Sequence, residues 1–148
     1  MMTTQADKIM HLFHKNLNAI ILTALVAVAP QASAMASEDQ TRIAQDIIRT
    51  LDAYAVYKMG QYDRAFEQYL DLAEDGNVQG MLNVANMYST GKGIEQSDGK
   101  ALNWYQKAAE AGNRLAMQQV ANAYRQGNGV KKDMKRAEDW ERRAQAVD

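Results

Sequence analysis

The chain has no cysteine, one proline and two histidines. Without thiols there is no disulfide, no thiolate nucleophile and no sulfur ligand for zinc. There is also no cysteine near the N-terminus to carry a lipid. His11, His14 and Pro30 all lie within the first 34 positions. The remaining chain therefore has no imidazole to serve as a general base or metal ligand. An excess of charge of one sign is missing as well. Seventeen basic and 18 acidic residues give a net charge of −1, which argues against a nucleic-acid binder, usually strongly basic.

Long apolar runs are scarce too. The uncharged run over 19–29 (AIILTALVAVA) has 11 residues, short of the roughly 20 that span a bilayer. Lys8 and Lys15 precede it, Pro30 ends it, and Ala32-Ser33-Ala34 places small residues where a signal peptidase reads. This is the three-part form of a secretory signal peptide. Cleavage is expected after Ala34, sending the product to the periplasm or outside the cell. If residues 1–34 are kept, that segment is the only membrane contact expected. Beyond it the charge is uneven: 35–76 carries four basic and nine acidic residues, 77–148 eleven and eight. Such an asymmetry can orient a partner, although solvated surface accounts for most of them.

What is present is a repeat of period 36. Ala65, Ala101 and Ala137 share one register. Gly76-Asn77 returns as Gly112-Asn113, Val84-Ala85-Asn86 as Val120-Ala121-Asn122, and Tyr88 as Tyr124. Gly91 and Gly93 return as Gly127 and Gly129, and Trp104 as Trp140. Composition alone does not produce so many coincidences at one shift.

Each unit reads as two helices. Met81, Val84, Ala85 and Tyr88, then Met117, Val120, Ala121 and Tyr124, fall on one stripe of a 3.6-residue helix. A loop with paired glycines follows. It comes after a helix instead of a strand, which excludes a phosphate-binding loop. Ser97 and Asp133 are suited to cap a second helix. That helix carries Ala101, Trp104, Tyr105 and Ala108, or Ala137, Trp140 and Ala144. Gly76 and Gly112 suit left-handed helix ends, and Asn77 and Asn113 can cap the next helix. Before these units, Ile43, Ala44, Ile47, Ile48, Leu51 and Ala55 form an apolar stripe expected to face the core. A tight turn at Tyr57–Tyr62 leads to Ala65, Phe66, Tyr69 and Leu72 on a second helix.

These residues resemble the Sel1-like repeats, a branch of the tetratricopeptide-like superfamily. The resemblance rests on Gly80, Val84-Ala85, Tyr88, Gly91-Lys92-Gly93-Ile94 and Lys100-Ala101-Leu102-Asn103-Trp104-Tyr105-Gln106-Lys107-Ala108-Ala109. It continues in Ala116, Val120-Ala121, Tyr124, Gly127-Asn128-Gly129-Val130, Asp133, Arg136-Ala137, Trp140 and Ala144. Val-Ala stands in both units where the family has Leu-Gly. The resemblance implies an all-α fold, an α-solenoid of three antiparallel helical hairpins. The expected organisation is a signal peptide over 1–34, a short linker over 35–40 and a tetratricopeptide-like hairpin over 41–76. Sel1-like repeats follow over 77–112 and 113–148.

The available chemistry is thin. Adjacent carboxylates such as Glu74-Asp75 and Glu138-Asp139 project in different directions from a helix. No catalytic residue, metal site or cofactor is expected. Trp104 and Trp140 are expected in the inter-repeat core. The resemblance implies that the first helix of each hairpin lines a groove. Its exposed positions are then Asn83, Asn86, Met87, Gln119, Asn122 and Arg125, candidates for holding a peptide or protein partner. An amide can bond both the N–H and the C=O of an extended peptide. The expectation is a non-catalytic periplasmic scaffold or adaptor that binds another protein or peptide in the cell envelope. It binds no nucleic acid and can self-associate through its open ends. The polar 37–40 start and Arg142-Arg143 read as end caps. The alternatives are a membrane-tethered envelope-assembly subunit and an enzyme acting on cell wall or binding β-lactams. Against the enzyme stand the absent cysteines and the absence of a serine–lysine motif.

Overall fold

The computed structural model describes residues 37–147. The expected signal peptide, 1–34, lies outside the described residues. Contacts divide the chain into two units, Met1–Ala44 and Gln45–Asp148.

In the first unit, residues 37–44 are helical. The Thr41 hydroxyl donates to the Ser37 carbonyl at 2.9 Å, and exposed Arg42 lies 3.5 Å from Asp39. The linker expected over 35–40 is thus helix from 37 onward. No glycine or proline stands there to stop it, and Ser, Glu and Asp are well tolerated near helix N-termini.

The second unit is a series of helices: α1 over 45–58, α2 Tyr62–Glu74, α3 Val78–Thr90, α4 Asp98–Glu110, α5 Arg114–Gln126 and α6 Met134–Gln145. No strand occurs among the described residues. From α2 onward each helix packs on the next in the chain, because the connections are too short to place it elsewhere.

Local signals set the boundaries. The Asn77 and Asn113 side chains accept the Gly80 and Ala116 amides, each at 2.9 Å. Ser97 and Asp133 do the same for the Lys100 and Arg136 amides at 3.4 and 3.0 Å. Each bond satisfies an N–H that the first helical turn would otherwise leave open. Gly93 and Gly129 have φ of 73° and 69°. Each also lies against the first turn of the preceding hairpin's second helix: Gly93 on Tyr62 and Asp63, Gly129 on Asp98 and Gly99. The loop of one repeat thereby clamps the repeat before it.

Two apolar clusters fill the unit. One groups Ala65, Phe66, Tyr69, Leu72, Val84 and Met87 with Ala53 and Val56 of α1. The other groups Leu82, Leu102, Tyr105, Met117, Val120 and Tyr124 with the alanines that let the helices approach. Met81, Tyr88 and Trp104 pack against both. Trp104 is therefore inter-repeat core, as expected. Lys107 lies 3.7 Å from the Trp104 ring centre and Arg143 3.8 Å from that of Trp140, a cation–π pair copied from one repeat to the next.

The α1 stripe corrects the expectation. Ile43 is 55% exposed, and in the second unit Ile47, Ile48 and Leu51 are 55%, 66% and 62% exposed. The face of α1 turned toward α2 instead carries Ala53 and Val56, buried, with Tyr57 half-buried. Arg49 reaches Asp75 at 2.7 Å, and Gln68 donates to Asp52 at 3.0 Å. The most apolar stripe of a helix faces the core only if another element is there to cover it.

Candidate functional site

Two cavities open beside the first helices of successive repeats. One, of about 280 Å³, lies between Tyr54 and Tyr57 of α1, Tyr69 of α2 and Asn83, Asn86, Met87 and Thr90 of α3. The other, of about 420 Å³, is lined by Tyr105, Gln119, Asn122, Ala123 and Gln126, with Ser89, Gln96, Asp98 and Asn128 among its remaining walls. Tyr69, Asn83, Asn86, Met87 and Thr90 are the repeat equivalents of Tyr105, Gln119, Asn122, Ala123 and Gln126. The same five positions thus build both cavities. Tyr and Asn recur at two of those positions; Met87 and Thr90 against Ala123 and Gln126, with Tyr54 and Tyr57 added to the first cavity, make the first aromatic with a thioether and the second mostly amide.

Five of the six expected site residues line these walls, Asn83, Asn86 and Met87 in the first cavity and Gln119 and Asn122 in the second. Met87 departs from expectation in exposure. It is 2% exposed and belongs to the apolar cluster with Leu72 and Val84, because its position faces the preceding hairpin. Arg125 lies outside both walls. Its guanidinium pairs with Glu141 and donates to the Asn122 carbonyl oxygen at 3.1 Å.

Both asparagines are partly committed within the fold. The Tyr105 hydroxyl donates to Asn86 Oδ1 at 2.5 Å, and Arg125 takes the same atom of Asn122. The expectation of amides offering both faces to a peptide narrows accordingly. With their carbonyl oxygens engaged, Asn86 and Asn122 offer N–H donors, which suit the carbonyl groups of an extended segment. The tyrosines were not among the expected site residues. The 36-residue spacing of Tyr69 and Tyr105 was the signal that could have found them.

Tyr69 and Tyr105 are not equivalent in bonding. The position matching Asn86 one repeat earlier is Thr50, whose hydroxyl donates back to the Asp46 carbonyl at 2.7 Å. Burial pushes the Tyr69 phenol up to about 12, and the neighbouring Tyr54 and Tyr57 add to the shift. Burial also raises the Tyr105 phenol, against a smaller opposing effect of Ser89. A tyrosine in the unfolded chain titrates near 10, so the folded state holds the Tyr69 proton more tightly. That contribution is complete below about pH 10 and is lost as pH rises toward about 12. Denaturant midpoints compared at about pH 9 and about pH 11 should fall in the wild type and fall less in Tyr69→Phe. An equal fall in both would place the alkaline sensitivity elsewhere.

Among the described residues, no group of three or more acidic or imidazole side chains is placed to hold a metal. No described helix is long and apolar enough to cross a membrane. A comparison with curated proteins gives no significant match. Among solved structures, the chain is similar to a Sel1 repeat protein from Oxalobacter formigenes, with 30% identity and a TM-score of 0.55. That alignment covers 57% of this chain and 64% of the other. It is also similar to a protective antigen present in uropathogenic Escherichia coli strains that displays an SLR fold, with 27% identity and a TM-score of 0.63. Here the coverage is 68% of this chain and 22% of the other. The chain thus spans less than two thirds of each of these proteins. Residues 78–113 and 114–144 match the Sel1 repeat, and the capped hairpins, the clamping glycines and the stacked helices of that stretch fit two Sel1-like repeats.

Proposed function

We propose that this protein is a non-catalytic, exported adaptor that holds an extended segment of a partner protein across the two repeat-related cavities. Sel1 repeats commonly serve as protein–protein interaction scaffolds, and this reading places the contact on named residues. The observation that carries it is the reuse of the same five positions in adjacent repeats. A chain molecule meets a repeating surface with repeating contacts, as solenoids in general bind elongated partners. The tyrosine and methionine cavity fits an apolar side chain. The second cavity, with its amides and Asp98, fits backbone and polar groups. Export is supported by the three-part N-terminal sequence, and the partner is then a component of the periplasm or cell envelope.

The test is in-envelope crosslinking and capture with the wild type and with Asn86→Ala/Asn122→Ala as bait. Loss of the Tyr105–Asn86 bond costs about 1 kcal/mol, small enough to leave the helical circular dichroism intact. Partner recovery is expected to fall at least tenfold, the effect of about 1.4 kcal/mol of lost affinity. Equal recovery would remove the partner from these cavities. Mass spectrometry of the same bait should find an N-terminus at Met35. Retention of residues 1–34 would replace the free adaptor with a membrane-tethered assembly subunit.

A further inference from the structure

The repeat period shows what the exposed face of α1 is built for. Ile48 and Leu51 occupy the positions of Val84 and Met87 one repeat on, and of Val120 and Ala123 two repeats on. Those four equivalents are 0–8% exposed, each packed beneath the hairpin that precedes it. Ile48 and Leu51 are 66% and 62% exposed, with Ile47 and Tyr54 beside them at 55% and 53%. The N-terminal end of the described stack therefore presents a finished inter-repeat seam without its mate.

The C-terminal end is built the opposite way. The second helices offer Phe66, Tyr69 and Ala73 in α2 and Leu102, Tyr105 and Ala109 in α4 to the repeat that follows, all buried. In α6 those positions are Glu138, Glu141 and Gln145. Glu138 and Gln145 are exposed and Glu141 is paired with Arg125. This end is capped by polar substitution, although not by the arginines that the sequence suggested. Head-to-tail stacking would press two carboxylates onto the isoleucines, at the cost of burying charge against apolar surface.

We infer that the α1 seam is covered by the α1 seam of a second copy of this chain, in a two-fold contact about Leu51. An isologous interface needs one patch that fits itself, and a straight apolar stripe on a helix does so when the partner helix crosses antiparallel. In that antiparallel crossing the two helix dipoles also oppose. An aromatic side chain buried in full is worth roughly 150–250 Å², and with only half to two thirds of each side chain still exposed the four residues bring at most about 500 Å² per copy. Two copies bury at most about 1,000 Å², the low end of specific interfaces. The dimer is accordingly a weak one, with dissociation in the micromolar range.

The chain has no cysteine, so the test is clean. Protein recovered from cells expressing the full chain is measured by sedimentation velocity from about 1 to about 100 µM, the range a weak interface requires. A monomer–dimer equilibrium is expected, and Leu51→Glu should shift it to monomer by at least tenfold in dissociation constant. Leu51 is already mostly in water, so that variant is expected to keep its circular dichroism. As an independent readout, Leu51→Cys should oxidise to a covalent dimer, because a two-fold axis at this residue brings the two sulfurs within bonding reach. Gln145→Cys should not. A wild type that stays monomeric at every concentration overturns the inference and leaves the seam to another segment or partner. A dimer that survives Leu51→Glu, or that crosslinks through Gln145→Cys, overturns it as well.

Discussion

Gly93→Ala and Gly129→Ala are each expected to destabilise the protein by about 3 kcal/mol, and to lower its melting temperature by roughly 10–20 °C. Two effects combine at each position. The left-handed backbone costs a side chain of ordinary chirality about 1–2 kcal/mol. The added carbon also has no room. At Gly93 it would overlap the Tyr62 carbonyl and sit 2.7 Å from the Asp63 nitrogen. At Gly129 it would overlap the Asp98 carbonyl and sit 2.6 Å from the Gly99 nitrogen. The obstacle is backbone at a helix start, which cannot rotate aside, so overpacking adds about 1–3 kcal/mol. Gly76→Ala and Gly112→Ala have positive φ but open space around the new carbon, and only the smaller conformational cost of about 1 kcal/mol applies. Gly99→Ala separates the two effects further. This helical glycine has no positive φ, and the nearest atom to its new carbon is the Gly129 oxygen at 3.8 Å. The substitution should stabilise α4 by about 0.5–1 kcal/mol. Thermal and denaturant unfolding of this small set checks the ordering. If Gly93→Ala lost no more than Gly76→Ala, the loop would not clamp the preceding hairpin.

Leu72→Ala is expected to cost a similar amount, about 3 kcal/mol, by a different route. Leu72 is 1% exposed and lies where α3 crosses α2 at Gly80. A carbon added at Gly80 would meet the Leu72 Cβ and the Ala73 nitrogen at 2.8 Å, so the two helices are in backbone-level contact there. They cannot close further around a truncated side chain, and the cavity left behind adds its cost to the lost burial. The damage should be local. In a solenoid each repeat contacts only its neighbours, and Leu72 lies in the cluster of the first hairpin and α3. Hydrogen exchange should rise in α1, α2 and the start of α3 well before α5 and α6. Uniform loss of protection across all helices would show instead that the three hairpins unfold as one cooperative unit, as two-state domains of this size do.

The two effects together explain why the chain tolerates so little at its helix crossings. The described helices form a short stack, near the minimum for stability, and domain stabilities of about 5–15 kcal/mol leave little margin for a loss of about 3 kcal/mol. The recurrence of both glycine clamps and both asparagine caps at the same register means that each repeat applies the same fastening to the one before it.

The sequence by itself determined everything that recurs within a few residues. Asn77, Asn113, Ser97 and Asp133 cap helices as their types and spacing indicate, since a cap is a bond across one helical turn. The 36-residue period located the hairpins, the stripes of α3 to α6 and the positions from which a groove could be lined. Only the tertiary structure decided what each stripe meets. Ile48 and Val84 are the same position in the repeat, yet one lies mostly in water and the other is fully buried, because among the described residues only Val84 has a preceding hairpin packed on it. Asn86 looked like a free amide until the fold brought Tyr105, nineteen residues away, to its oxygen. Periodicity states which residues are alike. It takes the packed chain to state which neighbours they have, because a contact is a relation between segments and no single segment encodes it.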